Sequence, residues 1–212
     1  MKDYQDKFIR IALKSEALIF GDFTLKSGRN SPYFFNAAKM LNTKFLADLS
    51  ECYTKTLQEL DVSFDSIYGP AYKGIFLASI IGTSFGESDL DIPISFNRKE
   101  EKDHGEGGDI IGQLPSGNVL IVDDVISAGT AARESIEKIK SIGANPKVML
   151  VGLDRQEKGS SVISAKAELE NDFGLTVSSI VNLDLLISFV SDDPNFREFK
   201  SDLEEYRSNW GA

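Results

Sequence analysis

The sequence predicts an α/β domain, a mainly parallel central sheet flanked by helices, with a small N-terminal hood subdomain over about residues 1–42. Three observations carry this. From Ser66 onward, short apolar runs alternate with stretches of helical spacing, the pattern of strands buried between helices. The 212 residues suit a single domain, 1–212, with one substantial core. The first third of the chain breaks the alternation and reads instead as helices around short strands, which assigns it to a subdomain packed on the sheet.

In order, Asp3 to Ile19 reads as a helix, with Phe8, Ile11, Ala12, Leu18 and Ile19 on one face. Phe23–Leu25 and Tyr33–Asn36 are short strands around the turn formers Gly28, Asn30 and Pro32. Thr43–Leu60 is a helix with Phe45, Leu49, Cys52, Thr56 and Leu60 on one side and Thr43 as its cap. Ser66–Tyr68 is a strand that stops at Gly69-Pro70. Gly74–Phe85 is apolar on most sides, as a buried helix is. Strands follow at Ile92–Phe96, Val119–Val122, Val148–Leu153 and Leu175–Val181. Helices lie at Ala131–Ile142, which stops at Gly143, and at Ser161–Phe173. The remainder is mostly helical.

Composition narrows the function classes. Hydrophobic residues make up 42% and charged residues 26%, as in ordinary globular domains. The single cysteine, Cys52, excludes an intrachain disulfide and reads as a buried apolar residue, consistent with a reduced compartment. The opening residues MKDYQDKFIRIALK lack the apolar core of a signal peptide, and no run approaches ~18 apolar residues, so a cytoplasmic chain without a membrane partner is expected. The net charge of -10 opposes nucleic acid as the main partner.

In open parallel sheets, ligands bind beyond the carboxyl ends of strands. Four suspicious segments fall there. The run Val119 to Val122 delivers Asp123 and Asp124 to the sheet edge. Alternation should point them in opposite directions and give them different work. Carboxylates accept hydrogen bonds from vicinal ribose hydroxyls and orient water on Mg²⁺. Ser127-Ala128-Gly129-Thr130 then enters a helix. Small residues admit close backbone approach, and the free N–H groups of a helix start suit a phosphate. A capped helix after a strand is the plainer reading of the same string, and the phosphate site is the favoured one. Neither a Walker lysine loop nor a G-x-G-x-x-G turn is present.

The stretch RKEEKDHGEGGD, Arg98 to Asp109, has three glycines and no apolar residue, so an exposed mobile loop is expected. Its carboxylates outnumber its cations. His104 is the only histidine, which excludes a multi-histidine metal site. GPAYKG, Gly69 to Gly74, is a tight turn that brings Lys73 to a helix start, where an anion is favoured, although on the residues alone a surface lysine on a turn is the plainer reading. In FTLKSGRNSPYFFN, Phe34 and Phe35 alternate, which allows one to face the core and one to stack on a flat heterocycle, although on the residues alone a plain core pair is the favoured reading. In LDRQEKG, Arg155 follows a strand, and its planar fork suits a carboxylate or ring carbonyl as well as a surface ion pair.

Taken together, these strings resemble a known family. VLIVDDVISAGTA resembles the phosphoribosyl-pyrophosphate (PRPP) motif of type I phosphoribosyltransferases. KDHGEGG is similar to the catalytic loop of the orotate phosphoribosyltransferases, and FTLKSGRNSPYFFN to their base-binding region. The resemblance spans Phe23 to Gly159 through five ordered motifs. It implies a type I phosphoribosyltransferase-like fold and transfer of phosphoribose from PRPP to orotate, giving orotidine 5′-monophosphate and pyrophosphate in pyrimidine biosynthesis. It implies PRPP contacts by Lys26, Tyr72, Lys73, Arg98, Lys99, Lys102 and His104. Asp123 and Asp124 would face the ribose, with Val125, Ile126, Ser127, Ala128, Gly129, Thr130 and Ala131 on the 5-phosphate. It implies orotate contacts by Lys26, Phe34, Phe35, Ser127 and Arg155, and gives Lys102, Arg98, Asp123 and Asp124 the catalytic work. Mg²⁺ would be held through substrate and water, with Asp123 and Asp124 beside it, and a homodimer would share the loop between subunits. A purine phosphoribosyltransferase and a PRPP-sensing nucleic-acid-binding regulator share the ribose motif. KDHGEGG and the base region speak against both.

Overall fold

The computed structural model describes residues 1–25, 28–86, 90–102 and 108–212, with the side chains of 99–102 and 108 outside the description. Helix α1 (Asp3–Lys14) leads into a two-stranded antiparallel hood, β1 (Leu18–Thr24) and β2 (Asn30–Phe35). A 3-10 turn precedes α2 (Thr43–Leu60). The main unit then runs β3 (Ser66–Tyr68), α3 (Lys73–Phe85), β4 (Ile94–Lys102), β5 (Gly108–Gly112), β6 (Asn118–Ile126) and α4 (Thr130–Ser141). It continues through β7 (Asn145–Asp154), α5 (Ala165–Phe173), β8 (Thr176–Asn182), α6 (Leu183–Asp192) and α7 (Lys200–Trp210).

The main sheet has the order β5-β4-β3-β6-β7-β8. Only β5 is antiparallel to its neighbour; β3 pairs in parallel with both β4 and β6, as do β6 with β7 and β7 with β8. The chain therefore leaves β3 toward β4 on one side and returns to β6 on the other. That reversal is a topological switch point, where parallel sheets open a crevice at their carboxyl ends.

Alternation along β6 divides the core between two layers. Leu120 and Val122 pack with α1, α2, α3 and α6, while Val119 and Ile121 pack with α4 and α5 on the opposite face. All four are fully buried. Burying each such side chain contributes about 1.5–3 kcal/mol, so a one-residue slip of β6 would forfeit both faces at once. The strand that carries the acidic pair is thus fixed in register by its hydrophobic half.

Several expectations need correction. The first helix stops at Lys14, not Ile19: Glu16 takes a positive φ of 57°, and Leu18 and Ile19 pair with Phe35 and Phe34 in the hood. The cap of α2 is Asn42, whose side chain accepts from Lys44 N, rather than Thr43. The fifth helix begins after Ser164, which caps it, and not at Ser161. The stretch from Arg98 to Asp109, expected as a loop throughout, is strand at both ends. There β4 runs to Lys102, and its backbone pairs with Gly108 at the start of β5. Antiparallel pairing satisfies backbone groups whatever the side chains are, so polar composition did not reveal it. His104 lies in 103–107, outside the described residues, as does Lys26.

Candidate active site

Four strand ends meet at the switch point. β3 feeds the turn Gly69–Gly74, β4 ends in the segment bearing Arg98, β6 delivers Asp123 and Asp124, and β7 exits into Arg155. The Arg155 N–H donates to the Ile126 carbonyl at 3.1 Å, which ties the β7 exit to the end of β6.

The acidic pair is divided as strand alternation demands. Asp124 is 4% exposed, and its Oδ2 accepts from Lys73 Nζ at 2.7 Å. Lys73 therefore bridges the turn after β3 to the end of β6. Asp123 instead lines two cavities. One, of about 340 Å³, is also bordered by Pro70, Ala71, Asn97 and Arg98. The other, of about 230 Å³, is bordered by Val125 through Ala132. Asp123 thus stands between a recess bordered by Arg98, Lys138 and Glu134 and the start of α4. Burial, and then the charge of Asp124, push its pKa up to about 7.

The loop before α4 is shaped for an oxyanion. Gly129 sits at φ +82°, and no side chain caps the helix. A non-glycine residue there would be strained. The first N–H groups of a 12-residue helix are left without side-chain partners, with the dipole adding partial positive charge. Ser127 and Ala128 are half-buried, and Thr130 and Ala131 are exposed.

On the other side, the turn Gly69–Gly74 presses against β6. A Cβ on Gly69 would lie 2.1 Å from the Gly74 carbonyl oxygen, and one on Gly74 would lie 2.7 Å from the Val122 carbonyl oxygen. Only glycine permits both approaches. Tyr72 is 69% exposed at the tip. Arg98 lines the cavity with its Nε buried and unpartnered among the described residues, so it has donor capacity left for an anion. Lys138, from α4, borders the same cavity but is ion-paired with Asp109. Lys99 and Lys102 lie on β4, with side chains outside the description.

In the hood, the two phenylalanines separate. Phe35 is 7% exposed and packs against Phe8, so strand alternation turns its ring into the core. Phe34 is 40% exposed and keeps a ring face available. Arg155 is not the surface residue that the ion-pair alternative required: it is buried and bonded to Glu157, Ser31 and Tyr206. A third cavity of about 510 Å³ between hood and α7 has Asp22, Asp202 and Glu205 in its lining and, among the described residues, no cation. Among the described residues, no group of three or more His, Cys, Asp or Glu is arranged for a metal ion, and no helix is long and apolar enough to cross a membrane.

No protein-family model matches the chain. Full-length similarity decides its relationship. It is 47% identical over 212 residues to the orotate phosphoribosyltransferase of Marinobacter nauticus, covering all of both chains. The chain belongs to the orotate phosphoribosyltransferase family. The Vibrio parahaemolyticus orotate phosphoribosyltransferase is 48% identical over 212 residues, again across both chains in full. The crystal structure of the Francisella tularensis orotate phosphoribosyltransferase superposes with a TM-score of 0.82 at 38% identity, covering 97% of this chain and 99% of that one. The expected α/β fold class of the phosphoribosyltransferases and the expected enzyme family therefore both hold.

Two residues of this candidate site escaped the sequence reading. Asn97 Oδ1 accepts from the Ala71 N–H at 2.8 Å and its Nδ2 donates to the Arg98 carbonyl at 3.2 Å, joining the two cationic segments. Tyr53, fully buried on α2, donates to the Asp123 carbonyl at 3.0 Å. Burial holds the Tyr53 phenol well above its ordinary pKa, so it stays a neutral donor. A polar residue at the end of an apolar strand was a signal for Asn97. Tyr53 carried none, since it reads as one more residue of an amphipathic helix.

Proposed function

We propose that the chain transfers the phosphoribosyl group of PRPP to orotate, releasing orotidine 5′-monophosphate and pyrophosphate. The observation that carries this is the position of Asp123 between an uncapped, glycine-entered helix start and a cavity bearing Arg98, with Lys73 held on the neighbouring Asp124. Such an arrangement suits one ligand with phosphate at each end and hydroxyls between.

On this reading, Val125 to Ala131 receive the 5-phosphate. Asp123 accepts from the ribose hydroxyls, and Asp124 acts through Lys73. The bond from C1 to the pyrophosphate oxygen breaks as the orotate nitrogen forms its bond to C1 from the opposite face, and the proton of the ring N–H passes to the departing pyrophosphate or to water. Positive charge grows on the ribose and negative charge on the departing pyrophosphate. Asp123 favours the first. Arg98, Lys73 and Lys102 neutralise the second, assisted by Tyr72, Lys99 and His104. Positioning and electrostatics thus do more than any strong base. Mg²⁺ typically keeps several waters and takes one or two carboxylates plus substrate phosphates, and the donor set of Asp123 and Asp124 fits that mode. When bound, it adds charge neutralisation at the pyrophosphate. Orotate is held by Lys26, Phe34, Ser127 and Arg155. The hairpin of β4 and β5 closes over the site and excludes water, and a homodimer shares it between subunits. The cytoplasm is the proposed location, and a net charge of -10 supports a small-molecule role over nucleic-acid binding.

The test supplies Mg²⁺, PRPP and one base at a time, following pyrophosphate release and orotate absorbance. Turnover is expected with orotate. No turnover with orotate would defeat the proposal, and turnover with adenine or guanine alone would assign the chain to purine transfer.

A further inference from the structure

Arg155 is held unusually firmly for a substrate-binding side chain. Its Nε donates to Glu157 Oε1 at 2.5 Å, and its Nη2 donates to Ser31 Oγ and to Tyr206 Oη, each at 2.8 Å. The buried ring of Tyr33 lies 4.1 Å from the centre of the guanidinium. Nη1 makes no hydrogen bond to any described residue.

The supports are themselves supported. Tyr206 Oη donates to Glu157 Oε1 at 2.5 Å, and Arg29 Nη1 donates to Glu157 Oε2 at 2.7 Å. Arg29 in turn lies over the ring of Trp210 at 5.0 Å. Backbone bonds from Lys158 to Trp210 and from Ala212 to Gln156 fasten this end of the chain to the same turn. Hood, β7 exit and α7 therefore converge on one guanidinium.

Burying this many charges is not an efficient way to gain stability. Desolvation offsets most of the attraction, and well-packed apolar residues often serve as well. What a fully satisfied buried network does supply is a single geometry. Arginine recognises planar anions through the plane of its fork, so fixing that plane fixes what it accepts.

We propose that Tyr206, Glu157 and Arg29 are positioning residues that lock the Arg155 guanidinium so that only its Nη1 side is offered to a planar, anionic heterocyclic base. The inference rests on the assignment of Arg155 to the base under Proposed function, and it makes α7 a determinant of base recognition. Pre-locking removes an ordering cost that binding would otherwise carry.

The test measures KM for each substrate separately in Tyr206→Phe, which keeps the ring and removes the hydroxyl shared by Arg155 and Glu157. A hydrogen bond to a charged group supports an expected rise in KM for orotate of about tenfold or more, with KM for PRPP within about twofold. A role confined to stability would lower the melting temperature without separating the two substrates. Equal KM values to the parent, or an equal rise for both substrates, would overturn the proposal. Arg29→Lys, which keeps the charge but loses the fork, should give the same split in milder form, and its absence in both variants counts against the network. Arg155→Lys separates the two levels. An unchanged KM for orotate there overturns the assignment of Arg155 itself, whereas a raised KM there with none in Tyr206→Phe overturns only the positioning role.

Discussion

Replacing Gly74 with alanine tests a tightly constrained contact between the site and β6. The added Cβ would lie 2.6 Å from Pro70 Cδ and 2.7 Å from both the Gly69 carbonyl carbon and the Val122 carbonyl oxygen. Two of these atoms are backbone and the third belongs to a proline ring, so no rotamer change relieves them. Ordinary contact begins near 3.4 Å, and each separation must open by about 0.7–0.8 Å. The turn then moves off β6, and Lys73 moves with it, away from Asp124. Overpacking of this kind costs about 1–3 kcal/mol. For a chain of this length, each kcal/mol lowers the melting temperature by about 2–4 °C, so a fall of about 4–8 °C is expected near the middle of the range. A misplacement approaching 1 Å near the chemistry can cost about 10²-fold, and kcat/KM for PRPP should fall about 10- to 100-fold. Calorimetry gives the first number and pyrophosphate release the second. A variant with an unchanged melting temperature and kcat/KM would refute the steric argument. A lowered melting temperature with intact kcat/KM would uphold the packing and remove the turn from the site.

Three further outcomes are expected. Because Asp123 titrates near 7 in the folded chain and near 3.9 unfolded, the fold favours its protonated form. Its contribution to stability therefore falls as pH rises from about 4 to about 7, a slope that Asp123→Asn should remove in pH-dependent melts. The protonated carboxyl is a poorer acceptor for ribose hydroxyls, so kcat/KM for PRPP should drop below about pH 7; a flat profile down to pH 5.5 would exclude that role. Lys102→Ala should fold normally and lose on the order of 10²-fold in kcat, and near-normal turnover would remove Lys102 from the leaving-group site. Phe35→Ala should lose about 3–5 kcal/mol in denaturant melts, while Phe34→Ala should melt near the parent and raise KM for orotate; reversed effects would mean that the strand is out of register.

The apolar runs and their spacing carried the sheet. Val119 to Val122 is a buried strand in sequence and in space, and each later strand lies within a few residues of its expected place. Elements whose character depends on a distant partner were less legible. Leu18 and Ile19 continue a helical face in one dimension, yet they form a strand because Phe34 and Phe35 lie opposite. Arg98 to Lys102 has the composition of a loop, yet it is strand because β5 returns beside it.

The opening contrast between sheet and hood was thus written in the chain, since burial of a strand on both faces demands a continuous apolar run whatever its neighbours are. The chain also carried the motifs at the strand ends, because close backbone approach and oxyanion binding demand particular residues at fixed spacing. Which side chain takes which role was decided only by tertiary structure. The pairing of Asp124 with Lys73, the loss of Phe35 to the core and the enclosure of Arg155 by Ser31 and Tyr206 each join residues about 50 apart or more, or depend on which face a strand turns inward. A hydrogen bond acts over about 3 Å of space, and sequence spacing holds no record of that distance once the chain has folded back on itself.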